Sequence, residues 1–161
     1  MKHLLLSLAI LAFVAVFAAV INGPTTAQAF FGLGERHTSV AVADGVVTIS
    51  LAEIVGGQAR FYTAKVNGTD VTFFILTTPD GVTRSAFDAC DVCYPAGKGY
   101  EQDGPDMVCR NCGLHFREDL VGEVRGGCNP SPLAHELADG TIRITEAALM
   151  QGLRFFPGTD S

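Results

Sequence analysis

Two Cys-x-x-Cys pairs, Cys90/Cys93 and Cys109/Cys112, stand fifteen residues apart, and a fifth cysteine follows within Gly126-Gly127-Cys128-Asn129-Pro130. A Cys-x-x-Cys turn aims two thiols at one point, and two such turns complete a four-sulfur shell suited to zinc or iron. The separation of the pairs lies in the range of two-knuckle thiolate sites. Whatever the rest of the chain does, it must bring two loops to one place. The other use of this spacing is a pair of disulfides, which an exported chain permits.

Cys90, Cys93, Cys109 and Cys112 are thus the candidate ligands. Cys128 is a fifth, because its Gly and Pro neighbours describe a tight loop able to approach closely; away from the site it would be a free thiol. His115, three residues beyond Cys112, is a further candidate, although a loop histidine reads more simply as a surface residue. Asp88 and Asp91 flank Cys90 and read as loop caps, since carboxylates are hard ligands beside soft sulfurs. His37 and His135 fall in no motif and read as surface residues.

Export is read from the first thirty residues. Lys2 and His3 form a short basic start, residues 4–21 an apolar run, and Ala27-Gln28-Ala29 a small-residue cleavage pattern. The run also reaches the lower length of a membrane-spanning helix, so an uncleaved anchor through residues 4–21 is the competing reading. Asn22-Gly23-Pro24 breaks the helix before the cleavage pattern and favours removal. Either way the cysteines lie outside the cytoplasm, in the periplasm or at the outer face of the inner membrane. The expected organisation is residues 1–29 as signal peptide or anchor, 30–40 as linker, and 41–161 as one metal-binding domain. Removing residues 1–29 takes away Lys2 and no acid, leaving ten basic against seventeen acidic side chains, a formal −7 that argues against binding nucleic acid. The 132 residues that remain suffice to bury a core, so cross-links are not needed to hold a tiny fold together.

The body of the chain reads as β structure. Segments 46–51, 59–66, 70–77 and 82–87 are rich in β-branched and aromatic residues, and Asn67-Gly68 and Asp80-Gly81 separate the last three into two hairpins. Val71, Phe73 and Ile75 face one way along the third segment and Thr72 and Phe74 the other, while Phe74 and Leu76 together imply that both faces are partly covered. A short strand is expected around Met107-Val108, reached through Asp103-Gly104, and another over 141–144 behind Asp139-Gly140. Thr145 then reads as the N-cap of a short helix through Gln151, ended by Gly152. The fold class is all-β, a sandwich with both cysteine loops at one tip and a short C-terminal helix. Gly113, directly after Cys112, suits a knuckle whose backbone N–H groups turn toward sulfur.

No Gly-x-Ser-x-Gly elbow, His-Glu-x-x-His pair, phosphate loop or Gly-x-Gly-x-x-Gly unit is present. A thiol oxidoreductase would place Cys-x-x-Cys at a helix start in a βαβ unit, and the surroundings here are strand and turn. No catalytic residue is expected, and whether the chain is an enzyme stays open at this point.

The order of strands, Asp80-Gly81, a cysteine pair, Asp103-Gly104, Met107-Val108-Cys109-x-x-Cys112-Gly113-x-x-Phe116, a Gly-rich loop, Pro132-Leu133 and Asp139-Gly140-Thr141-Ile142-Arg143-Ile144 resembles a Rieske domain. Cys93 and Cys112 stand where that layout would carry histidines, and the first pair is one residue longer, which implies an all-thiolate site. Ala86-Phe87-Asp88-Ala89-Cys90-Asp91-Val92-Cys93, Lys98-Gly99-Tyr100, Met107 to Gly113 and Gly126-Gly127-Cys128-Asn129-Pro130-Ser131-Pro132-Leu133 are similar to the signature of the FtrD-like family of membrane-associated iron-sulfur proteins, over about residues 41–156. The resemblance implies an iron-sulfur cluster, electron transfer, and partners in bacterial iron uptake such as a membrane iron permease or redox proteins. This chain departs from longer members in lacking a multi-helix membrane portion and a ferredoxin-type Cys-x-x-Cys-x-x-Cys run, so another redox chain is also open to it. The competing class is a structural zinc domain used as an assembly or binding module.

Overall fold

The computed structural model describes residues 36–157; the expected leader over 1–29 lies outside them. Among the described residues ten strands form three sheets. A central sheet has the order β1 (Thr38–Val40), β3 (Arg60–Val66), β4 (Thr69–Thr77), β5 (Thr83–Phe87). A second joins β2 (Val46–Ser50), β10 (Thr141–Thr145) and β9 (Glu136–Ala138). The third joins β6 (Tyr100–Asp103), β7 (Asp106–Cys109) and β8 (His115–Arg117). The helix, α1 (Glu146–Met150), follows β10 directly, and Thr145 Oγ1 accepts the Ala148 N–H at 3.1 Å as the expected cap. The all-β class with one short C-terminal helix is what the sequence led us to expect.

Local chemistry sets the register. Asn67 and Gly68 both adopt positive φ, 50° and 82°, so β3 and β4 close through a two-residue turn with Val66 opposite Thr69. Asp139 and Gly140 repeat the device between β9 and β10, at φ 50° and 73°. Asp80 shapes the longer β4–β5 turn by accepting the Val82 N–H at 3.0 Å.

The nine-residue strand β4 is the centre of the molecule because both of its faces are buried. Val71, Phe73 and Ile75 enter a core with Val47, Ile49, Ile142, Ile144 and Leu149, from β2, β10 and α1. Phe74 and Leu76 point the other way, into a second core with Ala86, Tyr100, Met107 and Cys109. Each fully buried side chain of this kind stabilises the fold by about 1.5–3 kcal/mol. The consequence for function is positional: Cys90, Cys109 and the partly buried Cys93 and Cys128 are themselves members of the second core.

Thr38–Val40, at the end of the stretch read as a linker, is β1 and pairs in parallel with β3. Strands β6, β8 and β9 also lay outside the sequence-based reading. They are three or four residues long, too short to display a period. No helix among the described residues is long and apolar enough to cross a membrane.

Candidate metal centre

Three loops carry the cysteines. The first leaves β5 at Phe87. Its Cys90 is buried and its sulfur accepts the Cys93 N–H at 3.1 Å, while Tyr94 N–H donates to the Cys90 carbonyl at 3.3 Å. The second starts at Cys109, the last residue of β7. Gly113 N–H donates to the Cys109 carbonyl at 2.8 Å and Cys109 N–H to the Leu114 carbonyl at 3.0 Å. Gly113 sits at φ 73°, a turn after which the Leu114 N–H, rather than Gly113's own, faces the Cys112 sulfur. The third is the glycine loop before Cys128, closed by the Asn129 backbone and side-chain N–H groups on the Gly126 carbonyl at 3.2 and 3.0 Å. Ser131 N–H then donates to the Ala89 carbonyl at 3.0 Å and Phe87 N–H to the Ser131 carbonyl at 2.8 Å, which staples this loop to the first.

The five sulfurs fall into two groups that share one member. The sulfurs of Cys90, Cys93 and Cys128 lie within 4.8 Å of one another, and so do those of Cys93, Cys109 and Cys112. Cys93 belongs to both groups, and Cys93 Sγ is 3.8 Å from Cys128 Sγ. The inner sulfurs belong to buried Cys90 and Cys109, the outer ones to half-buried Cys93 and Cys128 and exposed Cys112. Neither group contains a carboxylate or an imidazole. This donor set fits a soft thiophilic metal or an iron-sulfur cluster and suits a hard cation poorly.

Without a metal the sulfurs compete for protons. Burial pushes the Cys109 thiol up to about 11 and the Cys128 thiol up to about 12, the latter also raised by Cys93 and Cys112. Cys112 moves down, chiefly because the Leu114 N–H donates to its sulfur. A cation that replaces these protons removes the conflict, so binding here is coupled to proton release.

One residue joins the three loops. Tyr100 is buried on β6 directly opposite Cys109, its N–H donates to Asp88 Oδ1 at 2.6 Å two residues before Cys90, and its hydroxyl donates to the Cys128 carbonyl at 2.6 Å. Burial, first, and the neighbouring Cys90 thiol raise its phenol well above the ordinary value, so it stays a donor. Asp88 in turn lies 2.9 Å from His37 Nε2 and 3.3 Å from Arg36 Nη1, with a side chain only 3% exposed. Gly99 makes room for it: a Cβ there would stand 2.4 Å from Asp88 Oδ2.

Asp88 therefore does more than cap a loop, whereas Asp91 pairs with Arg154 at 3.0 Å on the surface. His115 is exposed on β8, 3.3 Å from Asp106, and joins neither sulfur group. His37 is held against Asp88, and His135 meets Ser85 Oγ at 2.7 Å. The surface reading of these two histidines gives way because each finds a polar partner in a partly buried position. Tyr100 was missed as an organiser. The signal available was a large aromatic set between Gly99 and the Asp103-Gly104 turn, which alone reads as core.

No curated protein matches the chain. Among solved structures, a crystal structure of the quaternary ammonium Rieske monooxygenase CntA with a bound inhibitor aligns with 18% identity and a TM-score of 0.41, over 60% of this chain and 29% of that one. The chain thus spans under a third of that protein's length. A family model described as "Membrane iron-sulfur containing protein FtrD-like" matches residues 54–156, from before β3 to the last described turn and across all five cysteines, and the chain belongs to this FtrD-like family.

Proposed function

We propose that this protein is an exported, membrane-associated electron carrier whose iron-sulfur centre is held by Cys90, Cys93, Cys109 and Cys112, with Cys128 as a fifth sulfur against it. The observation that carries this reading is that five sulfurs, from three separate loops, fall into two groups joined through Cys93, with no hard ligand among them. When bound, the centre would supply one reversible electron, which zinc cannot. The residues of the chain do the rest. Cys90 and Cys109 anchor it in the second core and shield its inner side from water. Cys112 leaves its outer side open to a partner.

The rim suits docking. Val92, inside the first knuckle, is 60% exposed, and Leu114, just past the second, is 53% exposed. Apolar side chains at the tips of cysteine loops, on a protein of formal charge −6, favour a partner with an apolar contact patch ringed by basic groups. We place that partner in iron uptake, as the family suggests: a redox protein or a membrane iron permease at the periplasmic face of the inner membrane.

The test is the visible absorption spectrum of anaerobically purified protein with iron, sulfide and zinc counts. Charge-transfer bands with matched iron and sulfide support the reading, and a colourless protein with zinc alone overturns it. A thiolate-only shell leaves more negative charge on the centre than one with two imidazoles, so voltammetry is expected to give a potential near that of plant-type ferredoxins, about −400 mV.

A further inference from the structure

We propose that Cys93 and Cys128 form a disulfide when the protein is free of metal, and that this bond locks the centre against reloading. The two sulfurs are already in contact at 3.8 Å. A disulfide requires about 2.05 Å, and the loop can supply the difference. Gly126 and Gly127, just before Cys128, hold φ of 83° and 61°, with nothing within 4 Å of where a Cβ would stand. Rotation at these two glycines would close the gap while the Tyr100 hydroxyl keeps the Cys128 carbonyl at 2.6 Å.

Geometry singles out this pair, whose 3.8 Å sulfur–sulfur contact bridges the first and third loops. Cys90 is 1% exposed and Cys109 2%, so neither can open the exchange with an external disulfide, and that step falls to a more exposed sulfur. Cys128 is half-buried and can open the exchange, and the Cys93 sulfur, 3.8 Å away, can close it. The chemistry balances with a disulfide as the oxidant, either a low-mass one such as oxidised glutathione or one carried by an oxidoreductase. One thiolate attacks a sulfur of the oxidant and expels one thiol. The second thiolate attacks the mixed disulfide, forming the Cys93–Cys128 bond and expelling the other. Two protein thiols are oxidised, one external disulfide is reduced, and both protons leave on the two released thiols.

The effect on the centre follows from the shared sulfur. Cys93 is the common member of the two three-sulfur groups, so its capture takes one sulfur from each. The remaining Cys90, Cys109 and Cys112 do not form a group of their own. Formation of the disulfide does not depend on Cys93 being a ligand; the exclusion of metal rests on the ligand set proposed above.

The experiment uses the whole chain, stripped of metal and reduced, then treated with oxidised glutathione under anaerobic conditions. Non-reducing peptide mapping is expected to show a Cys93–Cys128 link, an intact mass lower by two hydrogens and three thiols open to alkylation after unfolding. Affinity for added zinc is expected to fall about tenfold or more and to return with dithiothreitol. Cys128→Ser is expected to give no link and the same zinc affinity before and after oxidation. A dominant link between any other pair, or no link, overturns the proposal. A Cys93–Cys128 link with undiminished zinc affinity overturns both the lock and the role of Cys93 in holding metal, whereas loss of zinc by Cys93→Ser without any link in wild type overturns the lock alone.

Discussion

Tyr100→Phe isolates one hydrogen bond. The ring stays buried against Phe74 and Phe116, both at 6.2 Å between centroids, and the N–H to Asp88 is untouched, so what is lost is the 2.6 Å bond from the hydroxyl to the Cys128 carbonyl. A bond of this kind contributes about 1 kcal/mol net, and stranding its partner raises the loss toward about 2 kcal/mol. The bond ties down a glycine loop whose other hydrogen bonds close mostly upon itself, at Gly126 and Asn129, or lie beyond it at Ser131. The cost is therefore expected to appear as local opening of this loop rather than as global unfolding. One to two kcal/mol corresponds to a factor of about 5–30 in the open population. In the reduced, metal-free protein, alkylation of Cys128 by a small maleimide should accelerate by that factor, measured by mass spectrometry of the peptide. Cys90, buried in the first loop, should react at an unchanged rate. Equal rates for Cys128 in variant and wild type, or equal acceleration at Cys90 and Cys128, would refute the claim that Tyr100 holds the third loop on the centre.

Serine substitutions should rank by membership of the sulfur groups: Cys93→Ser, which touches both, is expected to lose the most metal, while His115→Ala keeps its full content, as read by elemental analysis. Gly99→Ala drives a methyl into Asp88 at φ 65° and should lower the thermal midpoint far more than Gly104→Ala, where φ is 57° but nothing lies within 4 Å; equal losses would show that the Asp88 contact carries no strain. The folded-state pKa values of Cys109 and Cys128, raised to about 11 and about 12 from 9.0, set a pH dependence. Between pH 9 and 12 the unfolded chain releases protons that the folded one retains, so the stability of the reduced, metal-free protein is full below pH 9 and falls as pH rises through that window. Urea denaturation at pH 8 and 10.5 checks this, and a stability that is flat or rising across the interval contradicts it.

The fold was legible where physics is local. Strands β2 to β5 and β10 carry enough β-branched and aromatic residues to declare themselves, and Asn67-Gly68 and Asp139-Gly140 fix their turns through positive φ. Phe74 and Leu76 even announced the second buried face of β4, which turned out to be the wall behind the centre. The approach of the two Cys-x-x-Cys turns was legible in part, since Cys93 of the first does lie with Cys109 and Cys112 of the second. What was hidden depends on contacts between segments far apart in the chain. Asp88 and Tyr100 are twelve residues apart, and Tyr100 and Cys128 twenty-eight, so no window of sequence displays their bonds. The sequence-level rule that a carboxylate beside a soft site caps a loop was sound about metal and silent about Tyr100. A buried carboxylate two residues before Cys90 instead sets where that cysteine's loop sits, through a strand that presents the opposite knuckle. The geometry of the centre is thus specified from behind, by Asp88 and Tyr100 in the core, and its chemistry from in front, by sulfurs that the core holds within reach of one another.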